Sequence, residues 1–272
     1  MIVLIRRLLA DYILRYKELT NKFLYKIYKI PKVGEFIKNQ IMEQNNKALK
    51  IALGIVAQLA ALVWELIKRV VFVAAFVYLP YVLIARECPL VQDRKEAAII
   101  YMFIMICTLC GTLVNNLVMS RDERSYMMAK VMLINPAIGL FGNIMYRMIM
   151  DFVGFSLALC IMGVSLGNSI VIGFSTAFIR PVGEVFAIAL YEKFRFIYNN
   201  RNVYNGCLMA ISIILAYGLP VVTRTVSSMW TALAHPAFAV SVFVIGTLAL
   251  LVLFNYRHYY RLLADTVRGI NL

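Results

Sequence analysis

Five long apolar segments constrain this fold more than any other feature of the sequence. The length of each is close to the roughly 20 residues that a helix needs to cross the hydrocarbon core of a bilayer. The segments are 97–119, 143–164, 168–190, 206–223 and 237–255. The composition agrees with them, because 62% of the 272 residues are hydrophobic and only 15% are charged. The sequence therefore predicts an all-α polytopic membrane protein with no separate soluble domain.

The region 48–85 is also apolar, but it is too long for one crossing and contains Glu65, Lys68 and Arg69. It is either an elbow-like interfacial helix at 48–67 leading into one span at about 69–85, or two spans. The positive-inside rule favours the first interpretation, because seven spans would place 11 basic residues outside. Six spans with both termini cytoplasmic leave only four outside: Arg86, Arg94, Lys95 and Arg224.

This topology predicts a cytoplasmic or interfacial segment at 1–47, a transmembrane domain at 48–255 and a cytoplasmic tail at 256–272. In the first segment, apolar residues recur at spacings of three and four while basic residues occupy other positions, which is typical of a basic amphipathic helix. Such a helix lies on anionic lipid or docks on a partner subunit. The membrane also explains the net charge of +14, so we predict no nucleic-acid partner.

Four charges fall inside the third and fourth predicted spans, in "MYRMIMDF" (145–152) and "AFIRPVGEVF" (177–186): Arg147, Asp151, Arg180 and Glu184. If the two spans form a hairpin that turns outside at "SLGN" (165–168), Arg147 lies level with Glu184 and Asp151 lies level with Arg180. The four charges then sum to zero, which lowers the free energy of placing them in the membrane. The cluster is either a clamp that fixes the hairpin register or, because Pro181 and Gly183 allow a bend, a switch.

Motifs for chemistry are absent from the sequence. It contains no P-loop, nucleophile elbow or H-E-x-x-H motif. Cys107 and Cys110 form a C-x-x-C with no second Cys or His cluster nearby, which favours helix packing over a metal or redox site. We therefore expect no enzyme activity, no cofactor and no metal.

The cytoplasmic loops carry the remaining signal. The run "SRDERSYMMAKVMLINP" (120–136), the basic residue in "MYRMIMDF", and the stretches "IRPVGEVFAIALYEKF" (179–194) and "AYGLPVV" (216–222) resemble the membrane permeases of bacterial ABC exporters. The likeness is to the ABC-2-like type that exports antimicrobial peptides. Two upstream stretches, "KIPKVGEFI" (29–37) and "YLPYVLI" (78–84), agree in order.

The resemblance implies a six-span permease unit in the bacterial cytoplasmic membrane, coupled through its first cytoplasmic loop to a separate P-loop ATPase subunit. Coupling then falls on 120–136, with a second contact at Glu192 and Lys193. The polar contacts of the first loop are Arg121, Asp122, Glu123 and Arg124. Larger relatives carry two such units, so the resemblance also implies pairing as a homodimer or with a sister permease.

Two alternatives remain at the level of sequence. The loops suit docking onto another protein, and snorkelling at the headgroup level is the alternative. The whole chain is also compatible with a structural or channel component of a multi-subunit membrane machine, such as a secretion complex. The substrate is not identified by any motif.

Overall fold

The computed structural model describes residues 2–30, 35, 47–118, 130, 136–194, 200–256 and 258–268. Across these ranges the chain is helical and contains no β-strand. Six of the described helices are long and apolar enough to cross a membrane. The predicted all-α polytopic fold is therefore confirmed.

The helices follow the predicted order along the chain. Helix α1 is Ile2–Tyr28. The six helices of spanning length are α2 (Ala48–Glu87), α3 (Lys95–Val114), α4 (Gly139–Ile161), α5 (Leu166–Lys193), α6 (Arg201–Thr223) and α7 (Pro236–Asn255). Helix α8 is Tyr259–Arg268. A one-turn helix, Pro89–Gln92, and a 3-10 helix, Ser228–Ala234, lie between spans, and helical structure begins at Lys47 before α2 and at Pro136 before α4.

Helix α2 runs through Lys68 and Arg69 without a break, and the chain divides into two compact units within it, Met1–Ile67 and Lys68–Leu272. The elbow interpretation of 48–67 stays a prediction, because a continuous helix fits either alternative.

In the first unit, the apolar side of α1 packs on α2. The Tyr16 hydroxyl donates to the Ile51 carbonyl at 3.0 Å, and Thr20 and Leu24 are buried. Gly54 makes this approach possible, since a Cβ there would overlap Tyr16 and Thr20. The lysines of the same helix are on its exposed side: Lys17, Lys22, Lys26 and Lys29.

In the second unit, α3 is the central helix. Of its most apolar 18-residue window, 67% is buried inside the protein, against 11% for α6 and 17% for α7. The residues of α3 from Ala97 to Phe103 are all buried. Helices α6 and α7 therefore lie at the periphery, with most of their apolar surface directed away from the protein.

The hairpin between α4 and α5 turns earlier than the sequence predicted. Helix α4 ends at Ile161 and α5 begins at Leu166, so the turn is 162–165 rather than 165–168. Gly163 supplies the turn with a left-handed φ of 91°, which glycine adopts without steric cost. Ser165 precedes the first turn of α5, where its N–H and hydroxyl donate to Oε1 of Glu96 at 3.0 and 2.9 Å.

Three spanning helices contain π-helical segments: Ala74–Tyr78 in α2, Ile104–Cys110 in α3 and Ile214–Gly218 in α6. A proline follows two of them within two residues, Pro80 in α2 and Pro220 in α6. Because proline has no N–H, helical hydrogen bonding is interrupted at these points.

Candidate functional site: an intramembrane charge cluster

Asp151 of α4 and Arg180 of α5 meet as the sequence predicted. Nε of Arg180 donates to Oδ2 of Asp151 at 2.5 Å. Both side chains are buried, with 3% of the Asp151 side chain and 8% of the Arg180 side chain exposed. Loss of either member would leave an uncompensated buried charge, so each depends on the other.

Asp151 also binds an arginine that sequence reasoning did not place in the cluster. Nε of Arg69 in α2 donates to the other carboxylate oxygen, Oδ1, at 3.0 Å. Gly154, one turn after Asp151, provides the space for the aliphatic part of Arg69, because a Cβ at that glycine would overlap it. Asp151 therefore links α2, α4 and α5 through one carboxylate.

Arg147 and Glu184 lie close enough to attract each other, as predicted, but their hydrogen bonds go to other partners. Glu184 is 1% exposed and accepts the backbone N–H of Leu117 at 2.8 Å and of Val118 at 3.0 Å. Arg147 instead donates to the backbone carbonyl of Asn115 at 3.2 Å and to its Oδ1 at 3.4 Å. Backbone groups at the end of α3 therefore supply hydrogen-bond partners for both Arg147 and Glu184.

Arg180 donates to the same Asn115 carbonyl at 3.2 Å. Asn115 ends α3, where unsatisfied carbonyls give the helix a partial negative charge that attracts cations. Within residues 115–118, the two arginines thus bind Asn115, and the Glu184 carboxylate binds the two residues at 117 and 118. Side chains of α4 and α5 therefore hydrogen-bond the chain at the point where α3 ends, a contact that fits either a clamp or a switch.

The charge balance differs from the predicted sum of zero. With Arg69 included, the described cluster has three arginines, Arg69, Arg147 and Arg180, against the carboxylates of Asp151 and Glu184. It therefore carries one excess positive charge among the residues that the structure describes.

The arrangement is suited to holding helices together rather than to bond chemistry. Both Asp151 oxygens and both Glu184 oxygens accept hydrogen bonds, so neither carboxylate is directed into open space. Within the described ranges, no group of three or more His, Cys, Asp or Glu side chains could hold a metal ion.

The other predicted site residues fall into two groups. Arg121, Asp122, Glu123 and Arg124 lie outside the described residues, as does most of 120–136. Glu192 and Lys193 lie at the exposed end of α5. Oε1 of Glu192 accepts the Tyr256 hydroxyl at 2.6 Å, and burial together with this carboxylate raises the pKa of Tyr256 above its usual range.

Sequence reasoning missed the main-chain partners Asn115, Leu117 and Val118, since any residue type supplies a backbone N–H or carbonyl. Arg69 had a signal in the sequence: a glycine three residues after a membrane-embedded aspartate leaves room for a long side chain from another helix.

Comparisons with protein-family models, curated proteins and solved structures found no match to this chain.

Proposed function

We propose that this chain is the membrane-spanning permease unit of an ATP-driven exporter, coupled through its cytoplasmic loops to a separate ATPase subunit. Six helices of spanning length agree with such a unit. The motif order described above, from "KIPKVGEFI" to "AYGLPVV", supports the same assignment.

The observation that carries the proposal is the set of hydrogen bonds from α4 and α5 to residues 115–118. These residues immediately precede the 120–136 stretch in which the resemblance places ATPase coupling. Glu184 holds the backbone of Leu117 and Val118, while Arg147 and Arg180 hold Asn115. A displacement of the loop by a partner would therefore be transmitted to α4 and α5, and through Asp151 and Arg69 to α2.

Site-directed crosslinking tests this function. Arg124→Cys, modified with a photoreactive maleimide in native membranes, is expected to attach to a soluble P-loop ATPase, with a yield that changes when nucleotide is added. Arg86→Cys is the matched control. Arg86 is exposed and lies at the end of α2 that the predicted topology places outside, away from an ATPase. No ATPase should be attached there.

The competing assignment gives a different result. A structural or channel component of a membrane machine would yield a stable complex in which the Arg124→Cys crosslinks are independent of nucleotide and include no ATPase. That outcome would replace the permease proposal.

A further inference from the structure

Tyrosine hydroxyls join three spanning helices at the π-helical segments. The Tyr217 hydroxyl of α6 donates to the Phe76 carbonyl of α2 at 2.5 Å. The Tyr101 hydroxyl of α3 donates to the Leu215 carbonyl of α6 at 2.6 Å. Both acceptors lie inside a π-helical segment. They are roughly 12 to 17 Å from the helix ends at Glu87 and Thr223, which is deep within a spanning helix.

Prolines remove one backbone donor within reach of each of these carbonyls. Phe76 lies four residues before Pro80, and Leu215 lies five residues before Pro220. These are the spacings at which an α-turn and a π-turn would use the missing proline N–H. Hydrocarbon contains no water to replace that donor, so each tyrosine hydroxyl supplies a hydrogen bond that the proline cannot.

Helix α6 packs mainly on α3, through Arg201–Ile213 against Ile104–Val114, and the tyrosine contacts continue this seam to α2. It is the least buried of the spanning helices that the structure describes, with 11% of its apolar window covered. On its buried side, Ala216 is fully enclosed, and Ser212 lies beside the Cys110 thiol of α3. Cys107 of α3 is 4% exposed and lies close to Tyr217.

We propose that α6 is a gate helix, and that the hydroxyls of Tyr101 and Tyr217 form a latch that holds it against α2 and α3. When the latch opens, the carbonyls of Phe76 and Leu215 lose their donors. Water, or a ligand with hydrogen-bond donors, must then enter the seam. Opening is thus coupled to hydration of a path between α2, α3 and α6. The latch does not depend on the proposed ATPase partner.

Thiol labelling at Cys107 tests the latch. In a full-length chain that keeps Cys107 and has its other four cysteines replaced by serine, a water-soluble methanethiosulfonate reagent should react slowly. Tyr101→Phe and Tyr217→Phe should each raise the rate about two- to tenfold, the factor that one net hydrogen bond supplies. The matched control is Tyr260→Phe, a change at an exposed tyrosine of α8, which should leave the rate unchanged. Elution profiles in detergent establish that each variant is folded.

A disulfide that locks α6 to α3 provides a second measurement and leaves both tyrosines in place. Ser212→Cys introduces a thiol beside native Cys110, so oxidation should tie α6 to α3 in a chain that also keeps Cys107. Locking should stop the slow labelling of Cys107, whereas the same oxidation without Ser212→Cys should not affect it. Labelling that is unchanged by the lock, or that rises no more in the latch variants than in Tyr260→Phe, would overturn the proposal.

Discussion

Asp151 is the shared partner of two arginines from different helices. We expect Asp151→Asn to destabilise the protein by about 3–5 kcal/mol, the range found when one member of a buried ion pair is removed. The substitution would leave both Arg69 and Arg180 without their carboxylate. Thermal unfolding in detergent measures this effect.

Two comparisons isolate the role of charge. Asp151→Asn combined with Arg180→Gln should be less harmful than Asp151→Asn alone, since only one guanidinium then loses its partner. Lys22→Ala breaks an exposed ion pair with Glu18 and should change stability by less than about 1 kcal/mol. A double variant less stable than Asp151→Asn would mean that Arg180 has a role apart from this pairing.

At the residue scale, the sequence predicted the depth of the charged residues in the membrane but not the direction of their side chains. Matching heights in a hairpin correctly brought Asp151 to Arg180. For Arg147 and Glu184 the same rule gave the level but not the hydrogen-bond partners, because it does not say which way each side chain leaves its helix or which third helix lies nearby. The end of α3 offered backbone groups to both residues, and Arg69 arrives from 82 residues away in the chain.

At the element scale, glycines set how closely the spanning helices approach each other. A Cβ on Gly183 of α5 would lie 2.5 Å from the Thr112 carbonyl oxygen of α3. Gly183→Ala should therefore separate the two helices at a cost of about 1–3 kcal/mol, as for other overpacked sites. The midpoint of thermal unfolding measures this.

Gly206 of α6 is the matched control for that substitution. Nothing lies within 4 Å of a Cβ placed there. Gly206→Ala should leave stability unchanged or raise it by up to about 1 kcal/mol, because alanine restricts the unfolded chain. Equal effects at the two glycines would contradict the packing described for α3 and α5.

The contact between α5 and the segment before α8 predicts a pH dependence. The pKa of Tyr256 is raised in the folded protein by burial and by Glu192. The unfolded tyrosine loses its proton near pH 10, before the folded one does, so this contribution to stability is present below about pH 10 and is lost above it. Stability measured from pH 8 to 11 should fall less in Tyr256→Phe than in the unchanged protein. Identical pH profiles would contradict the assignment.

The helices could be predicted from the length of the apolar segments, but the position of the hairpin turn and the role of Gly183 could not. Every predicted apolar segment from 97 onward corresponds to a helix of the structure. The hairpin turn was placed about three residues too late, because "SLGN" looks like a turn although it forms the cap and first turn of α5. Gly183, expected to allow a bend, instead permits the close approach to α3.

At the scale of the whole molecule, α2 is the longest of the six described helices of spanning length. A helix of 40 residues is about 60 Å long, twice the thickness of a hydrocarbon core of about 30 Å. One crossing therefore accommodates only about half of it. Arg69 binds Asp151 among the spanning helices, whereas the elbow interpretation of 48–67 stays a prediction. Apolar content alone did not separate the two halves in sequence.

In the proposed orientation, α4 and α5 form a hairpin whose open end binds the start of a cytoplasmic loop. Cysteine accessibility in sealed, oriented membrane vesicles tests it most directly, with Gly167→Cys beside the hairpin turn and Lys130→Cys within the loop, both in a chain without native cysteines. A membrane-impermeant maleimide should label position 167 from outside only and position 130 from the cytoplasmic side only. Labelling of both positions from the same side would contradict the orientation, and with it the proposed coupling to an ATPase.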